Sequence, residues 1–466
     1  MEKYRKPKIG LLGLMTDGYE SIFKGITARQ ISYAGELVSH LAPAADIYFT
    51  APAMNRLQIE ERMREYNNAG LDGILIVLLA YSQGAWLTRA LRDNRLPLAL
   101  AVVQPDDTIS NDFEELDLTV NQGIHGAQDN CNVIARLGIP CQIFAGSRHD
   151  QRFIDFVENF GYAAMTVSRL AKLRTAVFCR MQGMGDILTD DLGFLSALGV
   201  ESCHETIGSV CRIMETVSAE KIEEQIEKDR KIADVDPKLS HESHGEAARI
   251  YLGFKGFLEQ NRYDAFTAHF DLFAADGRFK QLPLYAASHL LAEGYGYAAE
   301  GDSMCASMVA AAHTLGAGGA NFTEMYGMDF KQQAILFCHA GEGNWSTHRE
   351  DIKPRLIDRY LGEGGLENPP TFIFTPRVGP ATLVSLVSLG GGKFRLVAAQ
   401  GEMLDKNDLR RCEMPYFFWR PRNGVEPCVE AWLKQGGTHH EVISLGDLRP
   451  RWKMFCDMLK IEYCEV

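Results

Sequence analysis

Short apolar runs alternate with longer amphipathic stretches throughout residues 1–172. The apolar runs, which predict strands, lie at 8–14, 46–50, 73–79, 96–103 and 140–144. The stretches between them, in which apolar positions recur with helical spacing, lie at 29–41, 57–67, 85–92 and 126–137. Strands that are apolar throughout and alternate with helices are typical of a parallel sheet covered on both faces. Residues 1–172 therefore predict an α/β domain.

A second alternation of the same kind occupies residues 173–321. Strand-like runs lie at 175–179 and 265–270. Helix-like stretches lie at 219–233, 246–260, 284–293 and 303–315. This segment predicts a second α/β domain.

From residue 322 to residue 466 the pattern changes to short β-rich runs separated by turn residues. These runs lie at 334–338, 371–374, 381–389, 394–399, 416–419 and 441–444. A helix at 448–459 and a last strand at 461–464 close the chain. Short strands with turn punctuation predict a third domain that is a barrel or a sandwich.

Composition narrows the class of protein. The 466 residues are 46% hydrophobic and carry a net charge of -13, with 61 acidic and 48 basic side chains. An acidic chain argues against binding to nucleic acid or to an anionic membrane, which needs a basic face. The eleven cysteines form no CxxC pair, and the most apolar stretch, 73–81, is shorter than the roughly 20 residues of a membrane span. We therefore expect a soluble, cytoplasmic enzyme for a small molecule.

The first strand leads into GLMTDGYES, which lacks the GxGxxG spacing of a dinucleotide-binding turn. Candidate chemistry lies instead in residues 291–340, where runs of small or apolar residues end in Glu300, Glu324 and His339, and in GGTHHEV, which adds His439 and His440. Carboxylate and imidazole ligands together suit a divalent transition metal such as Mn²⁺ or Co²⁺. Taken one at a time, these residues also have ordinary roles, such as a carboxylate at a helix N-terminus or a hydrogen-bonded core histidine.

Several blocks of the chain resemble the L-arabinose isomerase family. The blocks around the candidate residues are QLPLYAASHLLAEGYGYAAEGD at 281–302, NFTEMYGMDF at 321–330, CHAGEG at 338–343 and GGTHHEVIS at 436–444. Further blocks lie at 116–146, 263–273 and 359–390. The resemblance implies two Rossmann-like parallel-sheet α/β domains followed by a C-terminal β-barrel-like domain. This matches the three segments that the pattern predicts, 1–172, 173–321 and 322–466.

The resemblance also implies roles for individual residues. The implied metal ligands are Glu300, Glu324, His339 and His440. Glu300 and Glu324 would also be the catalytic acid/base pair. The implied substrate-binding residues are Gln122, His125, Phe270 and His439. The expected metal is Mn²⁺, with Co²⁺ or Mg²⁺ as alternatives. The family forms trimers paired into hexamers, so we expect a homo-oligomer with shared active sites, in which His125 comes from a neighbouring chain.

The implied reaction in carbohydrate metabolism converts L-arabinose to L-ribulose through an enediol, with D-galactose to D-tagatose as a side reaction. A hydride shift stays open. Three departures from the family pattern concern substrate-facing loops: AGEGNW follows His339, Tyr360 replaces a histidine, and GLMTDGYES replaces an SQHLYG-type segment. The alternatives are therefore an isomerase for another aldose, such as L-fucose or D-arabinose, or a non-catalytic sugar-binding protein.

Overall fold

The computed structural model of the chain describes residues 5–316, 319–361 and 365–466. It divides into two compact units. The amino-terminal unit comprises Arg5–Ser168 and Pro450–Lys460, and the main unit comprises Arg169–Arg449 and Ile461–Val466. Gly362, Glu363 and Gly364, within the family-like block at 359–390, lie outside the described residues.

The amino-terminal unit is built on a five-stranded parallel sheet. Its strands are β1 (Lys8–Leu14), β2 (Asp46–Tyr48), β3 (Gly73–Leu78), β4 (Leu98–Val102) and β5 (Cys141–Ala145), in the order β2-β1-β3-β4-β5. Its helices up to the domain junction are α1 (Gly18–Ile22), α2 (Ile26–Leu41), α3 (Arg56–Asn68), α4 (Leu87–Arg92), α5 (Glu115–Val120), α6 (Gly123–Arg136) and α7 (Gln151–Leu170).

Both faces of this sheet are covered, as the apolar runs predict. Successive residues of β1 and β3 enter two different cores: Leu11 and Leu75 pack in one, and Leu12 and Ile74 in the other. A strand that is buried on both faces must be apolar at every position, which explains the continuous runs.

The first part of the main unit is a second parallel α/β layer, with a four-stranded sheet in the order β10-β9-β6-β7. The strands of this sheet are β6 (Arg174–Phe178), β7 (Glu201–His204), β9 (Ala265–Ala268) and β10 (Gly296–Ala299). Strand β8 (Asp234–Val235) lies in the same part of the chain but belongs to another sheet. The helices of this layer are α8 (Asp191–Leu198), α9 (Ile207–Met214), α10 (Ala219–Ile232), α11 (His241–Asn261), α12 (Asp271–Asp276), α13 (Leu284–Ala292) and α14 (Ser303–Gly316). Helix α14 is almost wholly buried, because it packs on the parallel sheet and on the strands that follow.

The carboxyl-terminal part is a closed antiparallel barrel rather than a sandwich. The elements of this part are β11 (Ala320–Asp329), β12 (Ala334–Cys338), β13 (Arg355–Asp358), β14 (Pro370–Ile373), β15 (Gly379–Gly390), β16 (Lys393–Met403), β17 (Tyr416–Pro421), α15 (Val425–Lys434), β18 (Glu441–Leu445), α16 (Arg449–Leu459) and β19 (Glu462–Glu465). Strands β15-β18-β11-β12-β17-β16 follow one another, and β16 pairs again with β15 to close the ring. The structure confirms the predicted fold class.

Three details of the structure were not predicted from the sequence patterns. The strand expected at 265–270 ends at Ala268, and Phe270 directly precedes α12. Strand β8 pairs with β13 in a small sheet that joins residues on either side of position 321. All residues of α16 except Arg449 belong to the amino-terminal unit. The division at 172 and 321 stays a prediction.

Among the described residues, no helix is long and apolar enough to cross a membrane.

Candidate metal centre

Glu300 follows β10 directly, at the carboxyl edge of the parallel sheet, where such sheets bind their ligands. Its backbone has φ of +64°, a left-handed conformation that is unfavourable for a residue with a side chain. Gly301 is also left-handed, with φ of +88°, and a Cβ at this position would lie 2.4 Å from Arg180 Cα. The turn is therefore strained, and such strain is typical of functional sites.

The other candidate residues come from three adjacent barrel strands. Strand β11 lies between β12 and β18 in the ring. Glu324 on β11 is paired with Cys338 on β12, so His339 follows in the next position. On the other side of β11, Thr323 is paired with Glu441 on β18, directly after His440. The strand register thus brings Glu324 beside both histidines.

Glu324 is the centre of the cluster. Its Oε1 lies 3.3 Å from His440 Nε2, 3.5 Å from His339 Nε2 and 3.9 Å from His439 Nε2. Glu300 Oε2 lies 3.2 Å from His440 Nε2. One ligand atom from each of four residues lies within 4.8 Å of the others: Glu300, Glu324, His439 and His440. His439 thus joins the cluster as closely as the expected ligands do, and His339 contacts it through Glu324.

Each of the three imidazoles has a carboxylate at its other nitrogen. The Nδ1 pairs are His339 with Glu342 Oε1 at 2.8 Å, His440 with Asp302 Oδ2 at 2.9 Å and His439 with Asp186 Oδ2 at 2.6 Å. An ionised carboxylate only accepts hydrogen bonds, so Nδ1 must carry the proton. The Nε2 atoms are then the ones left to face the centre, which is the arrangement that supports metal-binding histidines in proteins.

The sequence reasoning did not identify these three carboxylates. Asp302 stands two positions after Glu300, and Glu342 stands three positions after His339. Their proximity to candidate ligands is a signal that could have found them. Asp186 lies in a loop more than 100 residues from any candidate ligand in the sequence, and only the structure connects it to His439.

Buried charges set the electrostatics of the centre. Burial alone would lower the pKa of His440, but the carboxylates of Asp302, Glu300 and Glu324 raise it well above its usual value. The imidazole of His440 in turn lowers the pKa of Glu300. Burial would raise the pKa of Glu342, yet the imidazole of His339 holds it at about 2. The centre therefore combines ionised carboxylates with imidazoles that can exchange a proton for a cation.

The residues present fit a divalent metal ion. Glu300 Oε2 and His440 Nε2 are buried and lie 3.2 Å apart, yet neither makes a well-aligned hydrogen bond with a described residue. A buried polar atom without such a bond costs about 1–3 kcal/mol. A cation between them would satisfy both, and the mixture of carboxylate oxygen and imidazole nitrogen suits Mn²⁺ or Co²⁺.

Phe270, Gln122 and His125 complete the set of predicted site residues. Phe270 follows β9, the strand beside β10, and so stands at the same sheet edge as Glu300. Gln122 and His125 belong to the amino-terminal unit, at the start of α6. There Gln122 Nε2 donates to Tyr19 Oη at 2.8 Å, and the His125 ring lies 4.8 Å from the ring of Tyr81.

Comparisons with known proteins point to one family. Residues 190–318 match the family model of the L-arabinose isomerase central domain, and residues 319–462 match that of the L-arabinose isomerase C-terminal domain. The L-arabinose isomerase of Clostridium beijerinckii is 28% identical over 429 residues, which cover 89% of this chain and 85% of the relative. L-arabinose isomerase 1 of Bacillus licheniformis is 31% identical over 346 residues, which cover 73% of this chain and 68% of the relative.

Among solved structures, the periplasmic binding protein of the arabinose ABC transporter from Shewanella sp. ANA-3 is 12% identical, with a TM-score of 0.13. The match covers 60% of this chain and 82% of that protein. At this TM-score the similarity carries no argument.

Proposed function

Because this chain belongs to the L-arabinose isomerase family, and is therefore an isomerase, we propose that it interconverts L-arabinose and L-ribulose with the help of a bound divalent cation. One observation carries the proposal. Ligand atoms of Glu300, Glu324 and His440 converge in the main unit, and two of these buried atoms have no hydrogen-bond partner among the described residues. A non-catalytic sugar-binding protein has no need of such a cluster.

Glu300, Glu324 and His440 would hold the cation, with the imidazole of His339 as a fourth ligand. A divalent cation held there supplies Lewis-acid polarisation of the sugar carbonyl. Mn²⁺ is the expected ion, and Co²⁺ and Mg²⁺ are the alternatives, because carboxylate and imidazole ligands do not strongly discriminate among them. The carboxylates behind the three imidazoles would fix the ring orientations.

Glu300 and Glu324 would act as the acid/base pair. One carboxylate removes the proton from C2 of the aldose, and the freed electron pair forms the C1–C2 double bond of an enediol while O1 gains a proton. The proton on O2 is then lost as C1 gains one, which leaves a ketose. The reaction neither consumes nor releases an oxidant, because C1 is reduced as C2 is oxidised. Two carboxylates in different environments can divide these proton transfers between them.

The sugar-binding residues of this proposal are those that the family resemblance implies: Phe270, Gln122, His125 and His439, with His439 beside the cation. We propose a homo-oligomer, a trimer or hexamer, in which His125 reaches the site of a neighbouring chain. A cytoplasmic location is part of the same proposal, and it agrees with the eleven cysteines, which are all free thiols.

Sugar preference is the part of the proposal with a stated alternative. Tyr360, which stands where the family has a histidine, is 78% exposed. Because of this departure from the family pattern, the alternative is an isomerase for another aldose, such as L-fucose or D-arabinose. D-galactose to D-tagatose would be a side reaction, since D-galactose shares its C2 to C4 configuration with L-arabinose.

A ketose assay on a panel of aldopentoses and aldohexoses tests the function. The chain is stripped of metal with a chelator and assayed with and without added Mn²⁺. We expect ketose from L-arabinose only when Mn²⁺ is present, and normal activity in the control Glu223→Gln, which changes an exposed glutamate on α10. No ketose from any sugar, with Mn²⁺ bound, would refute the proposal and leave the sugar-binding alternative.

A further inference from the structure

The loop at 179–190, between β6 and α8, is bonded to the candidate metal centre at several points. The backbone N–H of Met181 donates to the carbonyl oxygen of Glu300 at 2.8 Å. The Arg180 guanidinium donates to the carbonyl oxygen of Gly301 at 3.2 Å and to Ser303 Oγ at 3.2 Å. These bonds hold the strained turn that carries Glu300. The loop therefore supports one side of the centre from the parallel sheet.

Asp186 of the same loop also contacts His439, which lies just before a barrel strand. A single oxygen, Asp186 Oδ2, accepts from the backbone N–H of His439 at 2.9 Å and lies 2.6 Å from its ring Nδ1. The first bond fixes the main chain of His439 and the second fixes its ring. With both fixed, the remaining ring nitrogen, Nε2, faces Glu324 Oε1 at 3.9 Å.

We propose that Asp186 is a positioning residue of this centre, which holds His439 with its Nε2 directed at the cation that Glu300, Glu324 and His440 would bind. The proposal rests on the proposed function, because it assigns a residue to the same site. Asp186 lies in a loop outside every motif that the sequence analysis singles out. The proposal also explains how His439 is held in one orientation.

A merely structural role is the competing explanation. The Asp186 and His439 side chains are 33% and 43% exposed. Ion pairs as exposed as this contribute little to the free energy of unfolding. Carboxylates behind metal-binding histidines, in contrast, typically account for about 10–100-fold in metal affinity or activity. The two explanations thus differ in whether metal affinity or stability responds to the loss of Asp186.

The first test measures Mn²⁺ affinity by calorimetry on the metal-free full chain, together with its thermal unfolding. We expect Asp186→Ala to raise the Kd for Mn²⁺ about tenfold or more and to leave the unfolding temperature nearly unchanged. Asp186→Asn, which keeps an acceptor of the same shape, should recover part of the affinity. The matched control is Glu223→Gln, which removes the charge from another exposed carboxylate–histidine pair, with His241 at 2.9 Å, and should change neither value. An unchanged Kd in Asp186→Ala, or no recovery in Asp186→Asn, would overturn the proposal.

The second test asks whether Asp186 acts through His439. In a His439→Ala background, Asp186→Ala should have no further effect on Mn²⁺ affinity, because there is no ring left to position. A tenfold loss that persists in this background would overturn the proposal and indicate a structural role for the loop. Since the readout is metal affinity, it stands apart from the sugar assay: a chain that binds Mn²⁺ as expected but isomerises no sugar would refute the proposed function alone.

Discussion

Among the described residues of the main unit, two clusters of carboxylates and imidazoles are built in opposite ways. The first, which we call the Asp229 cluster, has a fully buried carboxylate in the middle. Asp229 accepts hydrogen bonds from Tyr285 Oη and from Gln225 Nε2, the latter at 2.9 Å. Its oxygens also lie 2.7 Å from His244 Nε2 and 3.1 Å from His289 Nε2. The central charge is therefore surrounded by partners within the protein.

The candidate metal centre has the reverse arrangement. There the imidazoles have carboxylates at Nδ1, and their Nε2 atoms converge on Glu324. Two of the converging atoms, Glu300 Oε2 and His440 Nε2, lie 3.2 Å apart. The same residue types thus form a closed cluster, in which partners surround one carboxylate, and an open site at the candidate metal centre, in which imidazole Nε2 atoms and carboxylate oxygens converge.

The largest effect should come from a ligand of the open site. Glu324→Gln removes the charge at the centre of the cluster and one of the two proposed acid/base groups. We expect a loss of ketose formation of about 10²–10⁴-fold, with an unchanged circular dichroism spectrum. The same result is expected for Glu300→Gln. Near-normal turnover in either variant would contradict its assignment to the acid/base pair.

The closed cluster should respond in stability instead. Asp229→Ala leaves buried donors of His244, Tyr285 and Gln225 without their acceptor, which should lower the free energy of unfolding by about 3–5 kcal/mol. Urea denaturation measures this loss. The fraction that stays folded should bind Mn²⁺ with the affinity of the original chain. If Asp229→Ala lost Mn²⁺ affinity but kept its stability, the Asp229 cluster would be a metal site and not a structural one.

Added metal should stabilise only through the open site. Mn²⁺ at a hundred times its Kd should raise the free energy of unfolding by about 2.7 kcal/mol. The increase should be absent in Glu324→Gln and present in Asp229→Asn, as measured by denaturation with and without Mn²⁺. Equal stabilisation of both variants would mean that the ion binds somewhere other than the proposed centre.

Acid should weaken the closed cluster over a defined range of pH. Burial would raise the pKa of Asp229, but its bonds with His244 and His289 lower it from 3.8 to about 2. A lowered folded-state pKa gives stability that is complete above the unfolded pKa and is lost as the pH falls through the folded pKa. Asp229 should therefore contribute about 2 kcal/mol to the free energy of unfolding, and this contribution disappears between about pH 4 and pH 2. The free energy of unfolding of Asp229→Asn, measured by denaturation, should not show this loss between about pH 4 and pH 2. If Asp229→Asn and the original chain had the same pH dependence, the stabilising role of the Asp229 charge would be wrong.

The sequence predicts a strand or helix more accurately where a local hydrophobic pattern determines it than where a tertiary contact does. Strands β1 and β12 have the bounds predicted for them, because each is a continuous apolar run. Helix α7 was not predicted. Its Gly161, which weakens helical propensity, packs where a Cβ would lie 2.8 Å from Pro7 Cβ. Only the tertiary contact explains that glycine.

The same difference between local pattern and tertiary contact applies to the residues of the candidate site. Glu300, Glu324 and His440 could be singled out because each ends or begins a recognisable run, and the family resemblance groups them. Asp186 could not, because its role depends on a loop that meets a barrel strand far away in the chain. The Asp229 cluster was missed for the same reason, since its members come from three different helices.

The central claim is that isomerisation depends on a cation held by Glu300, Glu324 and His440. The most direct test returns Mn²⁺ in steps to the chelator-treated chain and measures bound metal and ketose formation from L-arabinose in the same samples. The account predicts that activity rises in proportion to occupancy and reaches its maximum at one ion per chain. Full activity in the metal-free chain, or full occupancy without activity toward any aldose, would contradict it.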